Sequence, residues 1–267
     1  MAKIDIIMGI YNCEDYLADS INSILGQTFT DWRLIMCDDG STDSSLKIAR
    51  EYEKKYPTKI VVLKNKRNMG LNYTLNNCLR LADAEYVARM DGDDLSNPCR
   101  LEKELDFLAK NKEYAFVSTA VETYDKKGVW GELYYKENPD RYDFLKINPF
   151  AHPAVMIRRE ALKDVGYYSV DKRLIRVEDF HLWFKLYAKG YKGHNLQEIL
   201  YSYRDDRNAT LRRSWTNRRN EYFVRKIGYK MLNMPRHLRF YKYRPIILAL
   251  LPKSVCEKLH RNRLRRK

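Results

Sequence analysis

The sequence has few of the residues that punctuate linkers or staple small domains. Glycine occurs 11 times and proline 8 times in 267 residues, and neither clusters. That argues against a low-complexity tether, and no fixed-period repeat is visible. The five cysteines, Cys13, Cys37, Cys78, Cys99 and Cys256, are odd in number and include no CxxC pair. This argues against a disulfide framework and for a reducing compartment. Long apolar runs are missing too. The run from Ile246 to Leu251, between Pro245 and Pro252, is far too short to span a bilayer. The stretch Ala2 to Met8 includes Asp5 and does not have the build of a secretory signal. The expectation is a soluble or peripheral protein, cytoplasmic and at the inner face of the cell membrane. No GxGxxG opens the first helix, which disfavours a dinucleotide enzyme.

Positive charge is plentiful, and it is concentrated. Of 50 Lys plus Arg and 35 Asp plus Glu, residues 204–267 hold 20 and 4, and residues 1–203 hold 30 and 31. A nucleic-acid enzyme would place cations around its working cleft as well, so nucleic acid is not an expected partner. A basic tail behind a neutral body fits docking on an anionic membrane surface. The tail interleaves basic pairs with rings: Arg212-Arg213, Trp215, Arg218-Arg219, Tyr222-Phe223, Arg225-Lys226 and Tyr229, with a basic end from Arg261 to Lys267. Rings and cations together suit the headgroup level of a bilayer, with a dimer contact or packing against the rest of the chain as the alternatives. Apolar residues make up 45% of the chain, an ordinary globular share, and the length suffices for one α/β core with an appendage.

Along the chain, Ile4 to Met8 reads as a buried strand. Asn12 has the chemistry of a helix cap, and Leu17, Ile21, Ile24 and Leu25 form one helical face ended by Gly26. Strands follow at Arg33 to Cys37, Ile60 to Leu63 and Tyr86 to Met90, with helices between them, a strand roughly every 26–30 residues. This alternation implies a parallel sheet, and ligands bind such sheets at the carboxyl ends of the strands. The loops Asp38-Asp39-Gly40-Ser41-Thr42-Asp43 and Asp91-Gly92-Asp93-Asp94 both fall on that edge. Beyond Pro98 the spacing predicts a helix through Leu101, Leu105 and Leu108, a strand at Ala115 to Ala120 and another at Ala154 to Ile157. It also predicts a helix over Glu178 to Ala188. From Glu122 to Phe150 no period emerges. After Tyr203 the chain reads as basic and mainly helical.

Each acidic cluster has two readings. Asp91 and Asp93, two residues apart across a glycine, can turn toward one hard cation, or can solvate a strand end. Asp38 to Asp43 forms a turn and caps a helix, or contacts a ligand. Two acidic loops on one edge repel unless a cation or donor lies between them. Glu178-Asp179 suits a helix N-terminus by charge alone, yet a carboxylate there can also act as a base. Arg67, Asn68 and Gly70 form a polar turn or touch phosphate or ribose.

In their fixed order these segments resemble the family 2 glycosyltransferases of the GT-A fold. The matching segments begin with Ile6-Ile7-Met8-Gly9-Ile10-Tyr11-Asn12, Ser23-Ile24-Leu25-Gly26-Gln27-Thr28-Phe29 and Asp38 to Asp43. They continue with Asn68-Met69-Gly70-Leu71, Ala88-Arg89-Met90-Asp91-Gly92-Asp93-Asp94, His152 to Met156 and Glu178-Asp179-Phe180-His181-Leu182-Trp183. The resemblance covers roughly residues 3–203. Gly9 stands where many relatives carry proline or threonine, and His181 where many carry another acid.

The resemblance implies an α/β GT-A catalytic domain over 1–203, with a nucleotide-sugar-binding half at 1–98 and an acceptor-binding half at 99–203. Residues 204–267 would be a basic, mainly helical extension. It implies that Tyr11 stacks on the base, Asp39 accepts from it, and Arg67, Asn68 and Asp91 lie near ribose and phosphate. Asp93 and His152 are the implied ligands of a divalent metal, Mn²⁺ or Mg²⁺. Asp94 supports the loop. Asp179 is the implied catalytic base, with Glu178 orienting beside it. The implied reaction is inverting transfer of a hexosyl or hexosaminyl group from a nucleotide-diphosphate donor, by family habit a UDP-sugar. The acceptor is a saccharide, often lipid-linked, in bacterial surface-polysaccharide synthesis. A sugar nucleotidyltransferase would want a glycine-rich basic loop after the first strand, and Gly9-Ile10-Tyr11-Asn12 is neither. A non-catalytic sugar-nucleotide binder would not need every acidic position intact. No oligomeric state is specified.

Overall fold

The computed structural model describes residues 2–205, 214–251 and Val255. Arg212-Arg213, Cys256 and the basic end at 261–267 lie outside the described residues. The first half alternates strictly: β1 (Ile4–Ile10), α1 (Leu17–Leu25), β2 (Trp32–Asp38), α2 (Ser45–Lys55), β3 (Ile60–Lys64), α3 (Leu71–Leu81) and β4 (Tyr86–Asp91). The strands lie in the order β3-β2-β1-β4, all parallel, with Met8 level with Met36 and Met90. Both faces of this sheet are covered, so β1 is a nearly continuous apolar run. Ile4, Ile6 and Met8 pack with α1 on one face, while Ile7, Ile35 and Val87 pack with α3 on the other.

Asp5, the second residue of β1, is fully buried, and local chemistry explains it. Its carboxylate accepts from Arg33 Nε at 2.8 Å and from the backbone N–H groups of Asp83 and Ala84. An ionised carboxylate with that many donors is satisfied without water. One sequence expectation changes here. Asn12 does not cap α1, whose flanking residue Tyr16 makes no side-chain cap bond. Asn12 instead takes a left-handed backbone (φ 48°), and its Oδ1 accepts from Thr42 N at 2.9 Å. It therefore ties two loops together.

In the second half, β5 (Leu95–Ser96) and α4 (Arg100–Lys110) precede the long strand β6 (Tyr114–Asp125) and its hairpin partner β7 (Gly128–Leu133). Then come β8 (Val155–Arg158), α5 (Arg159–Asp164), α6 (Glu178–Ala188) and β9 (Lys192–Arg204). The sheet continues from β4 through β8, β6 and β9 to β5. β8 runs antiparallel to both neighbours, and β9 runs parallel to β6. This 13-residue strand was not legible in sequence, because register shifts opposite Thr119, Ala120 and Val121 break its alternation.

α7 (Trp215–Met231) and α8 (Arg244–Leu250) follow. α7 closes the aromatic core against α6. Arg225 Nη1 donates to the carbonyls of Phe144 and Leu145 at 3.1 and 2.9 Å, and Tyr229 meets Phe184 edge-on. A Cβ on Gly228 would lie 2.3 Å from the Phe184 ring, so only glycine permits this approach. Among the described residues no helix is long and apolar enough to cross a membrane. Gly228→Ala is expected to destabilise the fold by about 1–3 kcal/mol through overpacking. A thermal melt checks this, and an unchanged midpoint would show that α7 is not packed this way.

Candidate active site

Two loops at the carboxyl edge of the sheet are laced together before any ligand arrives. Asn12 N donates to Ser41 Oγ at 3.1 Å, Cys13 N to Ser45 Oγ at 2.8 Å and Glu14 N to Asp43 Oδ2 at 3.1 Å. Ser44 N returns a bond to Glu14 Oε2 at 2.8 Å. Asp38 folds the turn itself by accepting from the N–H groups of Gly40 and Ser41. Gly40 has φ 77°, and a Cβ there would lie 2.8 Å from the Arg67 carbonyl carbon. The turn after β2 is thus pressed directly against the backbone of Arg67 and Asn68.

Asp39 is buried at this junction. It accepts from Asn65 Nδ2 at 2.7 Å, Met69 N at 2.8 Å and Gly70 N at 2.9 Å. A carboxylate offers about four acceptor positions, so one stays open. The side chains of Tyr11, Arg67 and Asn68 are exposed around it. The elements that carry the sequence-predicted donor residues are therefore adjacent, with Asp39 as the hub.

The second cluster lies at the end of β4. Asp91 Oδ1 accepts from Arg89 Nη2 at 2.5 Å. Asp93 keeps 43% of its side chain exposed and faces Arg204 Nε at 3.8 Å. Its crowded surroundings and then the charge of Asp91 raise it to about 6. Asp94 is buried and accepts from Arg204 N at 2.7 Å and Tyr201 Oη at 2.8 Å. That fits a loop-supporting role. Arg204 also stacks on Tyr16, 3.5 Å from the ring centroid.

The third cluster opens α6. Asp179 Oδ2 accepts from Asn148 Nδ2 at 2.6 Å, and Oδ1 from Phe180 N at 2.7 Å. Burial, then the neighbouring charge of Asp179, lifts Glu178 to about 7. Burial raises Asp179 too, against the pull of Arg89 and of these hydrogen bonds. Arg89 therefore stands within electrostatic reach of both acidic groups, at β4 and at α6. His152 is buried, and its Nε2 is 2.7 Å from the Tyr168 hydroxyl. Burial and then Arg89 push its pKa well down, so the imidazole is neutral.

Among the described residues no three His, Cys, Asp or Glu side chains gather to hold a metal unaided. Asp91 and Asp93 still fit a hard cation that completes its shell with phosphate oxygens and water. Asp93, raised yet half-exposed, is the carboxylate such an ion would relieve.

Sequence reasoning missed Asn148, Tyr201 and the role of Arg89. Asn148 lies in a stretch with no period, and Tyr201 on the unrecognised strand. For Arg89 a signal existed: a lone cation inside the apolar strand Tyr86 to Met90 is rarely buried without a partner.

The family and the fold have counterparts among known proteins. Residues 5–166 match the family described as Glycosyl transferase family 2. A Bacillus subtilis (strain 168) protein named as a glycosyltransferase, EpsE, is 40% identical over 262 residues, covering 98% of this chain and 94% of its own. An Escherichia coli UDP-Gal:alpha-D-GlcNAc-diphosphoundecaprenol beta-1,3-galactosyltransferase is 30% identical over 221 residues, covering 79% of this chain and 77% of its own. Among solved structures, S. aureus TarS 1–349 in complex with UDP superposes with TM-score 0.68 at 22% identity, over 91% of this chain and 69% of that one. The fold is therefore that of the GT-A enzymes, and the chain belongs to glycosyl transferase family 2.

Proposed function

We propose that this enzyme transfers a hexosyl or hexosaminyl group, with inversion, from a UDP-sugar to a hydroxyl of a lipid-linked saccharide in surface-polysaccharide synthesis. The observation that carries the reading is the acidic loop at the end of β4, with Arg89 bonded to Asp91, together with the Glu178–Asp179 pair that opens α6. The uridine end would stack on Tyr11 and donate to the open position of Asp39. Arg67 and Asn68 would meet the ribose or diphosphate, with Asp91 beside them. Asp93 with Asp91 would hold Mn²⁺ or Mg²⁺, which when bound neutralises charge on the diphosphate. His152, expected as a metal ligand, has its Nε2 on the Tyr168 hydroxyl and is left out of the metal shell in this reading. The relatives support the donor and acceptor classes. The E. coli enzyme is named for UDP-Gal and a diphosphoundecaprenol acceptor.

In the transfer step Asp179 takes the proton of the acceptor hydroxyl. The hydroxyl oxygen forms a bond to the anomeric carbon as the bond to the diphosphate oxygen breaks, and UDP departs with that electron pair. Asn148 and Phe180 N fix the Asp179 carboxylate, and Glu178 orients the acceptor. Aligning the attacking oxygen supplies much of the acceleration. The basic C-terminal part would bring the enzyme to the lipid. Phe240, Ile247 and Leu250 are 61%, 58% and 76% exposed beside Lys242 and Arg244, a mixture suited to an anionic bilayer surface. That contact would place the enzyme at the cytoplasmic face of the membrane.

Calorimetry with UDP and Mn²⁺ should give metal-dependent binding that Asp93→Ala abolishes. Binding that needs no metal would remove the cation from this reading. Asp179→Asn is expected to lower kcat by about 10²–10⁴-fold with UDP binding intact. The wild-type rate should fall below about pH 7, where the Glu178–Asp179 pair takes up a proton. A pH-independent rate down to pH 5, or a retained anomeric configuration in the product, would refute the base assignment. The full chain should sediment with anionic vesicles and not with zwitterionic ones. Indifference to both at moderate salt would end the membrane reading.

A further inference from the structure

Asn65, the residue after β3, is 5% exposed, and every polar position of its carboxamide is occupied. One N–H donates to Asp39 Oδ1 at 2.7 Å and the other to Thr74 Oγ1 at 2.9 Å. Its Oδ1 accepts from Asn77 Nδ2 at 2.6 Å and from the Cys37 thiol at 3.6 Å. Thr74 is fixed in turn, because its hydroxyl donates to the Gly70 carbonyl at 3.0 Å. A carboxamide offers two donors and two acceptor lone pairs, so this one cannot turn over without losing all four bonds. The elements it touches supply apolar side chains to the core, Cys37 from β2 and Leu75 from α3. A buried polar network in such surroundings fixes a geometry that apolar packing would leave loose. What this network fixes is Asp39. Among the described residues, Asp39 Oδ1 has both its acceptor positions taken, by Asn65 Nδ2 and by Met69 N at 2.8 Å. Oδ2 receives only Gly70 N, at 2.9 Å. The one open position is therefore on Oδ2.

We propose that Asn65 sets the base specificity of the donor site: by occupying Oδ1 of Asp39 it leaves a single acceptor position, which takes the one N–H of uracil and refuses guanine. The inference rests on the reading of Asp39 as the carboxylate that meets the base. Uracil presents one ring N–H between two carbonyls, and one open lone pair satisfies it. Guanine presents a ring N–H and an amino group side by side, and pairs fully with a carboxylate only when both oxygens are open. Against an Asp39 held by Asn65, the second guanine donor would be left without a partner. A donor stranded in that way is the kind of mismatch that discriminates strongly between ligands. Asn65 touches no nucleotide in this account. It is a positioning residue that acts through Asp39.

The test measures Kd for UDP and for GDP by calorimetry with Mn²⁺, in the full-length enzyme and in Asn65→Ala, Asn77→Ala and Asp39→Asn. The wild-type enzyme should bind UDP at least about tenfold more tightly than GDP. Asn65→Ala opens Oδ1 and should narrow that ratio by about fivefold or more. Asn77→Ala frees the Asn65 carboxamide from its shortest bond and leaves the contacts of Asp39 in place. It should narrow the ratio by a smaller factor, and it carries the comparison if Asn65→Ala does not fold. A merely structural role would weaken both nucleotides alike and leave the ratio where it was. Three outcomes would overturn the inference: equal binding of UDP and GDP by the wild-type enzyme, an unchanged ratio in the variants, or failure of both variants to fold. Asp39→Asn separates the two claims. If it keeps full UDP affinity, the base reading fails and this inference with it. If it loses UDP while the ratio ignores Asn65, only the role of Asn65 fails.

Discussion

Carboxylates crowded on one edge of a sheet repel one another, and that repulsion shapes this enzyme more than any other constraint. Asp38, Asp39, Asp91, Asp93, Asp94, Glu178 and Asp179 all sit at or near the same edge. They are made tolerable in several ways. Asp38 and Asp39 are satisfied by backbone N–H groups, and Asp94 by Tyr201 and the Arg204 N–H. Asp91 accepts from Arg89, and Glu178 and Asp179 are lifted by burial. Asp93 is left with an arginine at 3.8 Å, too far for a hydrogen bond. The residue least provided for by the protein is the one best placed for an external cation.

The scaffold follows from the same need. A parallel sheet puts successive loops on one edge, and here those loops are fastened to each other before substrate enters. Asn12, Ser41 and Asp43 lace the first to the second, while Asp39 and Gly40 fasten the second to the third. Three independent loops would lose conformational freedom when donor bound, whereas a prefastened group has already lost it in folding.

How much of this could be read beforehand depended on whether the signal was periodic. The βα alternation through β4 was legible because each strand is a short apolar run bounded by turn formers. α6 was legible to the residue, since Leu182 and Leu186 repeat beside a block of aromatics. Periodicity failed where the chain breaks its own register, as in β9, whose bulges opposite Ala120 hid a strand that carries Tyr201 and Arg204. It also failed where function rests on one side chain in an irregular segment, as with Asn148. Asn12 misled for another reason. Its residue type suits a cap, but its positive φ turns the side chain toward Thr42, and sequence does not report φ. The types of the acidic residues announced the site, while the burial of Arg89 against Asp91 is recognised only in the folded strand.

The seating of α7 on Phe184 bears on how the chain can be divided. Gly228, Arg225 and Tyr229 complete the aromatic core that supports α6, the helix whose first turn carries Asp179. A fragment that stopped at the end of β9 would keep every acidic residue of the site and leave that support open to water. For anyone exchanging modules between relatives, the natural seam lies beyond Met231. A basic extension grafted without its α7 would arrive with its own apolar face uncovered.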